Sequence, residues 1–361
     1  MTTIYINGKF LAQPLTGVQR YARQLLLAVD RHLQEHPGAD RWVLLRPAGA
    51  AAPFLQRVHS REVGPAGLQL HLWEQLVLPW AARGALLLSL AGSSPVAARR
   101  QMCTLHDAAV FDAPHGYTWA FVAWYRMLFR LQARRALRLL TVSEFSRSRL
   151  ATQLHLQPVR VGVVPDGADH LDEVSPDDAI LARLALHGTR FVLAVASANP
   201  NKNIQALKAA FSRAATAPDL RLVLVGSANP AVFAARQEAP TDPRIVHAGT
   251  VSDAELVALY RQAAGLVFPS LYEGFGLPPL EAMAQGCPVA AARAGAVPEV
   301  CGDAAIYFDP HVQPAIEAAI KRLLEAGPAV QALRAAGPVQ ARRWTWARSA
   351  AALVQQTEAL R

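Results

Sequence analysis

The sequence predicts an α/β protein built from two doubly wound domains of parallel sheet. Short apolar runs alternate with segments of helical apolar spacing along the whole chain, and 361 residues exceed what one hydrophobic core usually organises. A composition of 52% hydrophobic against 17% charged residues leaves enough apolar surface to fill two cores and argues against extended disorder.

In the first half, strands are expected at residues 3–6, 42–45, 85–89, 102–105, 139–142 and 159–164. Between the first two, Val18, Tyr21, Ala22, Leu25, Leu26 and Val29 recur at helical spacing. The stretch 166–190, acidic at Asp169, Asp172, Glu173, Asp177 and Asp178, reads as a linker and a first helix, so the domain boundary is placed near Glu173. In the second half, strands are expected at 191–196, 221–225, 245–248, 265–268, 288–291 and 305–308, with helices at 204–215, 231–237, 253–263 and 279–285. This divides the chain into 1–172, 173–343 and a closing amphipathic helix at 344–361.

Composition narrows the function classes. No apolar run approaches the roughly 20 residues of a membrane span, and the first residues enter a strand without the pattern of an export signal, so a cytoplasmic protein is expected. Cys103, Cys287 and Cys301 are far apart, with no His at metal-ligand spacing, and are expected to be reduced and structural. A net charge of +9 points to acidic partners. Part of it gathers at residues 119–149, where Arg126, Arg130 and Arg134 interleave with Trp119, Trp124, Tyr125, Met127 and Phe129. Such a helix suits an anionic membrane surface; a core helix with a solvated basic side is equally compatible. No nucleic-acid-binding motif accompanies the charge, so no nucleic-acid partner is expected.

The most informative stretch runs from Glu273 to Glu281, two carboxylates eight positions apart across a glycine-rich turn. Glu281 falls on a helix ending at Gly286, while Gly274 and Gly276 place backbone amides near its start. Amides at a helix start favour phosphate, which would repel a carboxylate. Glu273 and Glu281 are therefore expected to accept hydrogen bonds from neutral hydroxyls of sugar and ribose.

Glu273 and Glu281 match the E-x7-E motif of retaining nucleotide-sugar glycosyltransferases of the GT-B fold, and Ser270-Leu271-Tyr272-Glu273-Gly274-Phe275-Gly276-Leu277-Pro278 resembles the family 4 form. The resemblance implies two Rossmann-like domains facing each other across a cleft, with the closing helix crossing back to the N-terminal domain. It implies donor binding by the C-terminal domain, through Glu281 to ribose, Glu273 to the sugar and the amides of Phe275, Gly276 and Leu277 nearby. Lys202, in the loop Ser197-Ala198-Asn199-Pro200-Asn201-Lys202 after a strand, is assigned to the departing diphosphate, where a fixed ammonium stabilises growing negative charge. Ser197, standing where the family often has an arginine, and Asn201 are counted with Lys202 among the donor-binding residues, but neither adds charge, so Lys202 is expected to work with backbone amides.

Leu105-His106-Asp107 is similar to the family's T-x-H-D segment, in which the histidine reaches a donor-sugar hydroxyl. Asp107 is read as orienting His106, capping the next segment or contacting the acceptor. Gly17 resembles the early glycine whose amide approaches the diphosphate. Ser143, in a segment similar to V-S-x-F-S, is read as an acceptor-side residue or equally as a helix cap.

The implied activity is retaining transfer of a hexose, with mannose from GDP-mannose as the leading donor, to a lipid-linked or polysaccharide acceptor of a bacterial surface polysaccharide, peripheral to the inner face of the membrane. The same fold with a UDP- or dTDP-sugar donor, or a non-catalytic sugar-nucleotide-binding protein, are the alternatives. A nicotinamide oxidoreductase would need a third glycine where Pro279 stands. A metal-dependent transferase would need D-x-D, and Asp166-Gly167-Ala168-Asp169 has the wrong spacing. No metal and no cofactor beyond the sugar-nucleotide substrate are expected.

Overall fold

The computed structural model describes residues 2–195, 199–214, 217–226, 242–325 and 327–360. By internal packing the chain forms two units, one of residues 1–108, 123–167 and 346–361, the other of 109–122 and 168–345. The division between Gly167 and Ala168 lies a few residues before the position read from the acidic linker. The assignment of 109–122 to the second unit carries no composition signal at all.

The first unit is built on a seven-stranded parallel sheet in the order β3-β2-β1-β4-β5-β6-β7. Its strands are β1 (Thr3–Asn7), β2 (Arg41–Arg46), β3 (His59–Glu62), β4 (Leu86–Ser89), β5 (Gln101–Thr104), β6 (Arg138–Thr141) and β7 (Val161–Val163). The central strands β4 and β5 are buried at every residue, as expected of a parallel sheet covered on both faces. Six of the seven follow the apolar runs of the sequence. The exception is β3, an edge strand whose four residues are all exposed, so its sequence His-Ser-Arg-Glu shows no apolar alternation.

Helix α1 (Gly17–Glu35) buries Tyr21, Ala22, Leu25, Leu26 and Val29, five of the six residues picked out by spacing, and leaves Val18 in its first turn half-buried. A helical stretch at 70–81 follows β3, α-helical at Leu70–Leu72 and Leu78–Ala81 with a π turn at Trp73–Val77 between them. The π turn carries Glu74 into the interior, where it pairs with Lys9 at 2.7 Å and with Ser93. Helix α2 (Trp119–Arg135) lies across the division between the units, and α3 (Glu144–Leu154) precedes β7.

In the second unit a six-stranded parallel sheet has the order β10-β9-β8-β11-β12-β13. These strands are β8 (Phe191–Val195), β9 (Arg221–Val225), β10 (Ile245–Gly249), β11 (Gly265–Phe268), β12 (Val289–Ala292) and β13 (Ala305–Phe308). Helix α4 (Ile204–Ala214) covers one face with α7 (Gln313–Leu324), burying Leu207, Phe211, Ile316 and Ile320 against Val192, Leu222 and Val267. Helix α5 (Asp253–Gln262) opens with a capping box of Ser252 and Glu255, and α6 (Leu277–Ala284) starts from Gly276. Prolines at the first turn of α6 cost no hydrogen bond, so the helix begins at Leu277, ahead of the start read from sequence.

The sequence reading missed α7 and α8 (Pro328–Ala341). Gly337-Pro338 inside α8 reads as a breaker, yet a Cβ at Gly337 would stand 3.2 Å from the carbonyl oxygen of Met283 in α6, so glycine lets the two helices approach. The helix expected at 231–237 lies outside the described residues. The chain closes with α9 (Trp346–Glu358), which belongs to the first unit and packs on α1. The resemblance anticipates that return.

Candidate active site

Each sheet has one place where its strand order reverses, and in doubly wound folds ligands bind outside the carboxyl ends of the strands there. In the second sheet the reversal lies between the neighbours β8 and β11. The loop after β8 carries Lys202 and the loop after β11 carries Glu273, and the structure brings them together: Lys202 Nζ is 2.6 Å from Glu273 Oε1. Both remain partly exposed, at 24% and 13% of their side-chain surface. Such a pair adds about 1 kcal/mol or less to stability, so either partner can exchange its bond for one to a ligand at little net loss. The ammonium also stands 5.6 Å from the centroid of the Phe268 ring.

Local structure holds both loops. Asn199 caps the turn Pro200–Lys202 by accepting from the Asn201 amide, and Asn203 closes it in the left-handed region at φ 55°. Asn201 is buried at 3%; its Nδ2 donates to the Ala113 carbonyl and its own carbonyl accepts from the Leu271 amide at 2.7 Å. Its side chain thus ties the Lys202 loop to segment 109–122, while its backbone carbonyl ties the same loop to the Glu273 loop. Ser197 lies outside the described residues.

Segment 109–122 completes the frame. A Cβ at Gly116 would fall 2.4 Å from the Asn201 side chain, and Asp112 accepts from the Tyr272 hydroxyl at 2.9 Å, next to Glu273. On the other flank, Gly295 (φ +59°) lies so close that a Cβ would meet the Glu273 carbonyl oxygen at 2.4 Å, and the Ala296 amide donates to that carbonyl. Sequence reasoning missed Asp112, Tyr272 and Gly295. Only Gly295 left a signal, as a glycine three residues past a strand in Ala292-Arg293-Ala294-Gly295.

Gly276, at φ +106°, is the residue from which α6 starts, a conformation that favours glycine. Gly274 and Phe275 are buried, and the Phe275 ring stands edge-on to Trp344 at 5.3 Å. Leu277 is the first residue of the helix. Glu281, one turn further, is 4% exposed, with Oε2 accepting from Tyr260 at 3.1 Å and Oε1 3.1 Å from His170 Nε2. A carboxylate has about four acceptor positions, so these partners fix its orientation and leave capacity for hydroxyl donors. The sequence reading did not single out His170 or Tyr260.

The first sheet reverses between β1 and β4. Gly17, after β1, is exposed at the start of α1, and a Cβ there would meet nothing within 4 Å, so packing does not demand glycine. His106, after β5, is half-buried, with Nε2 3.0 Å from the Leu90 carbonyl and its ring edge-on to Tyr21 at 4.8 Å. A carbonyl only accepts, so Nε2 carries the proton and Nδ1 is left as an acceptor. Burial pushes its pKa down to about 4, which keeps the ring neutral near pH 7. Tyr21 is itself buried and donates to the Val164 carbonyl at 3.0 Å.

Asp107 follows, half-buried. Ser143 is fully buried and caps α3 by accepting from the Ser146 amide at 3.0 Å, the cap geometry its sequence allows. The three cysteines are buried free thiols, each pushed up to about 12 by burial. Among the described residues no group of three or more His, Cys, Asp or Glu side chains is placed to hold a metal ion.

Residues 178–340 match the family model described as glycosyl transferases group 1. Over 356 residues the chain is 28% identical to an O-antigen chain mannosyltransferase B of Escherichia coli, covering 92% of this chain and 93% of that one. It is 35% identical over 207 residues to an MMP alpha-(1->4)-mannosyltransferase of Mycolicibacterium hassiacum, about half of each protein, at 54% and 47%. Among solved structures, sucrose-phosphate synthase from Thermosynechococcus elongatus superposes with a TM-score of 0.75 at 20% identity, over 100% of this chain and 99% of that one. WaaG, a glycosyltransferase involved in lipopolysaccharide biosynthesis, gives 0.70 at 13% identity, over 98% and 99%. The chain therefore carries a group 1 glycosyl transferase domain at residues 178–340 and has the GT-B fold.

Proposed function

We propose that the protein transfers mannose from GDP-mannose, with retention of anomeric configuration and without a metal ion, to a lipid-linked or polysaccharide acceptor in bacterial surface polysaccharide synthesis. The mannosyltransferase names of the relatives support the sugar and the pathway class. The observation that carries the chemistry is the Lys202 and Glu273 pair at the reversal of the second sheet.

In this reading the donor's diphosphate takes over Lys202 Nζ, and Glu273, released from its partner, accepts from hydroxyls of the sugar. The ammonium then faces oxygens whose negative charge grows as the glycosidic bond breaks, and it stabilises the transition state more than the bound donor. The turn at Gly274, Phe275, Gly276 and Leu277 offers the dipole of α6 to the same phosphates. Glu281, oriented by Tyr260 and His170, takes the ribose hydroxyls. Gly17 lets a phosphate approach the start of α1, and neutral His106 accepts a sugar hydroxyl through Nδ1. The leaving phosphate helps to take the acceptor's proton on the face it vacates. Asp107 and Ser143 are assigned to support on the acceptor side, Ser143 through the cap it provides.

Arg126, Arg130 and Arg134 of α2 are proposed to meet an anionic membrane surface, consistent with Trp119, Trp124 and Met127 being exposed on the same helix. No helix among the described residues is long and apolar enough to cross a membrane. Incubating the purified protein with GDP-, UDP- and dTDP-sugars, with and without EDTA, tests the donor and the metal together. Consumption of GDP-mannose that survives chelation is expected. Consumption confined to a UDP- or dTDP-sugar, activity restored only by added metal, or binding without turnover would each overturn the corresponding part.

A further inference from the structure

The helical stretch 70–81 presents Leu72, Leu76 and Trp80, four residues apart, on its outer side at 46%, 67% and 78% exposure. The spacing puts all three on one face. Beside them an open groove of about 590 Å³ runs between this helix and the edge strand β3, lined by Arg61, Val63, Gly64, Val77 and Ala81 together with Leu76 and Trp80. Three large apolar side chains in a row over an open groove form a patch of the kind that marks an interaction surface.

Charge identifies the partner. From Val63 to Leu105 the chain has one carboxylate, Glu74, and it is buried and paired with Lys9; just before this stretch, the exposed Glu62 of β3 is paired with Arg46. Every other ionised side chain in that stretch is an arginine: Arg83, Arg99 and Arg100, all exposed. The topology gathers them. Arg83 precedes β4 and Arg99 and Arg100 precede β5, two paired strands, with the Arg100 carbonyl accepting from the Leu87 amide. Arg134 and Arg135 precede β6 in the same way, and the Leu137 amide donates to the Gln101 carbonyl at the start of β5. The amino-terminal edge of three adjacent strands is thus rimmed by five exposed arginines. The helix at 70–81 and α2 also meet at one point, since Gln75 and Gln132 both donate to the Ser94 carbonyl.

We infer that Leu72, Leu76 and Trp80, with the arginine rim at the starts of β4, β5 and β6, form a docking surface for an anionic phospholipid bilayer. Trp and Leu on one helical face, flanked by arginine and free of carboxylates, match the headgroup boundary, where the aromatic ring sits at the interface and guanidinium groups meet phosphate. The surface extends the membrane reading of α2 to a second helix. It stands on its own observations and does not need Arg126 or Arg130.

Co-sedimentation of the full chain with vesicles separates the two readings. Vesicles of phosphatidylcholine alone are compared with vesicles carrying about a third phosphatidylglycerol. The double variant Leu76→Asp/Trp80→Asp is expected to lower binding to anionic vesicles about tenfold or more, and the triple variant Arg83→Glu/Arg99→Glu/Arg100→Glu to do the same. All five positions are exposed, so unchanged thermal unfolding and unchanged donor hydrolysis in detergent-free buffer serve as controls for folding. Full vesicle binding by both variants would overturn the inference. So would loss confined to Arg126→Glu/Arg130→Glu, which would leave α2 as the membrane contact. Sedimentation velocity closes the remaining route: if Leu76→Asp/Trp80→Asp turns a dimer into a monomer and keeps vesicle binding, the patch belongs to a second copy and the lipid reading is wrong.

Discussion

The reversal points of the two sheets carry opposite chemistry. In the second unit the loops after β8 and β11 deliver an ammonium and a carboxylate to each other, with a second carboxylate one helix further on. In the first unit the loop after β1 delivers a bare glycine amide, and a neutral imidazole comes from the loop after β5, one strand past the reversal. Under the proposed function the second unit supplies the formal charges, Lys202 to the leaving diphosphate and Glu273 and Glu281 to hydroxyls, whereas the first unit adds an open amide for the diphosphate and a neutral acceptor for the sugar.

The largest expected effects fall on the charged pair. Lys202→Ala removes the cation and leaves Glu273 facing the diphosphate uncompensated, so turnover should fall by about 10²–10³-fold and donor KM should rise as well. Glu273→Gln frees Lys202 from its counterion without removing it, so turnover should drop by a similar factor of about 10²–10³ with donor KM nearly unchanged. Steady-state kinetics on the two variants decide it, and a fully active Lys202→Ala enzyme would defeat the leaving-group role. Next comes Glu281→Gln. Losing a charge-assisted bond to ribose should raise donor KM by about 10–100-fold, with a smaller change in kcat.

Two glycine variants sharpen the contrast between the units. Gly295→Ala forces a Cβ into the Glu273 backbone at a left-handed φ, so it should destabilise the fold by about 1–3 kcal/mol and lower activity with it. Gly17→Ala meets no protein atom, so the unfolding temperature should hold while donor KM rises several-fold, about the cost of pushing one phosphate back. A Gly17→Ala enzyme with unchanged KM would remove Gly17 from the donor site.

A further expected effect is a pH dependence of stability. His106 has a folded pKa near 4, below its ordinary 6.5, so between those values the unfolded chain binds more protons than the folded one. Its contribution is fully present above pH 6.5, falls as the pH drops towards 4, and changes no further below that. Thermal unfolding of His106→Gln should therefore show a shallower decline over this window than the parent protein. Parallel curves would mean that His106 titrates normally.

Much of the frame was legible in the sequence, because buried parallel strands are written as uninterrupted apolar runs and α1 as a 3.6-residue pattern. What stayed hidden has physical causes. The edge strand β3 is polar because both its faces are wet, and α8 contains Gly337-Pro338 because close packing on α6 outweighs the cost of a proline. At the site, the motif spacing located Glu273 and Glu281, and the lysine after β8 was located by its place at a strand end. Their supports were not legible, since Asp112, His170 and Tyr260 act over separations of 160, 111 and 21 residues. Nor was the part Asn201 plays in the frame, since its side chain reaches Ala113 across 88 residues and its backbone carbonyl meets the Leu271 amide.

The central claim is that Lys202 and Glu273 exchange each other for the two ends of an activated sugar. A crystal structure with donor bound tests it most directly. The account predicts Lys202 Nζ within hydrogen-bond reach of a diphosphate oxygen and Glu273 turned to a sugar hydroxyl, with their mutual bond broken or lengthened. A diphosphate seated elsewhere while Lys202 and Glu273 remain joined would contradict it.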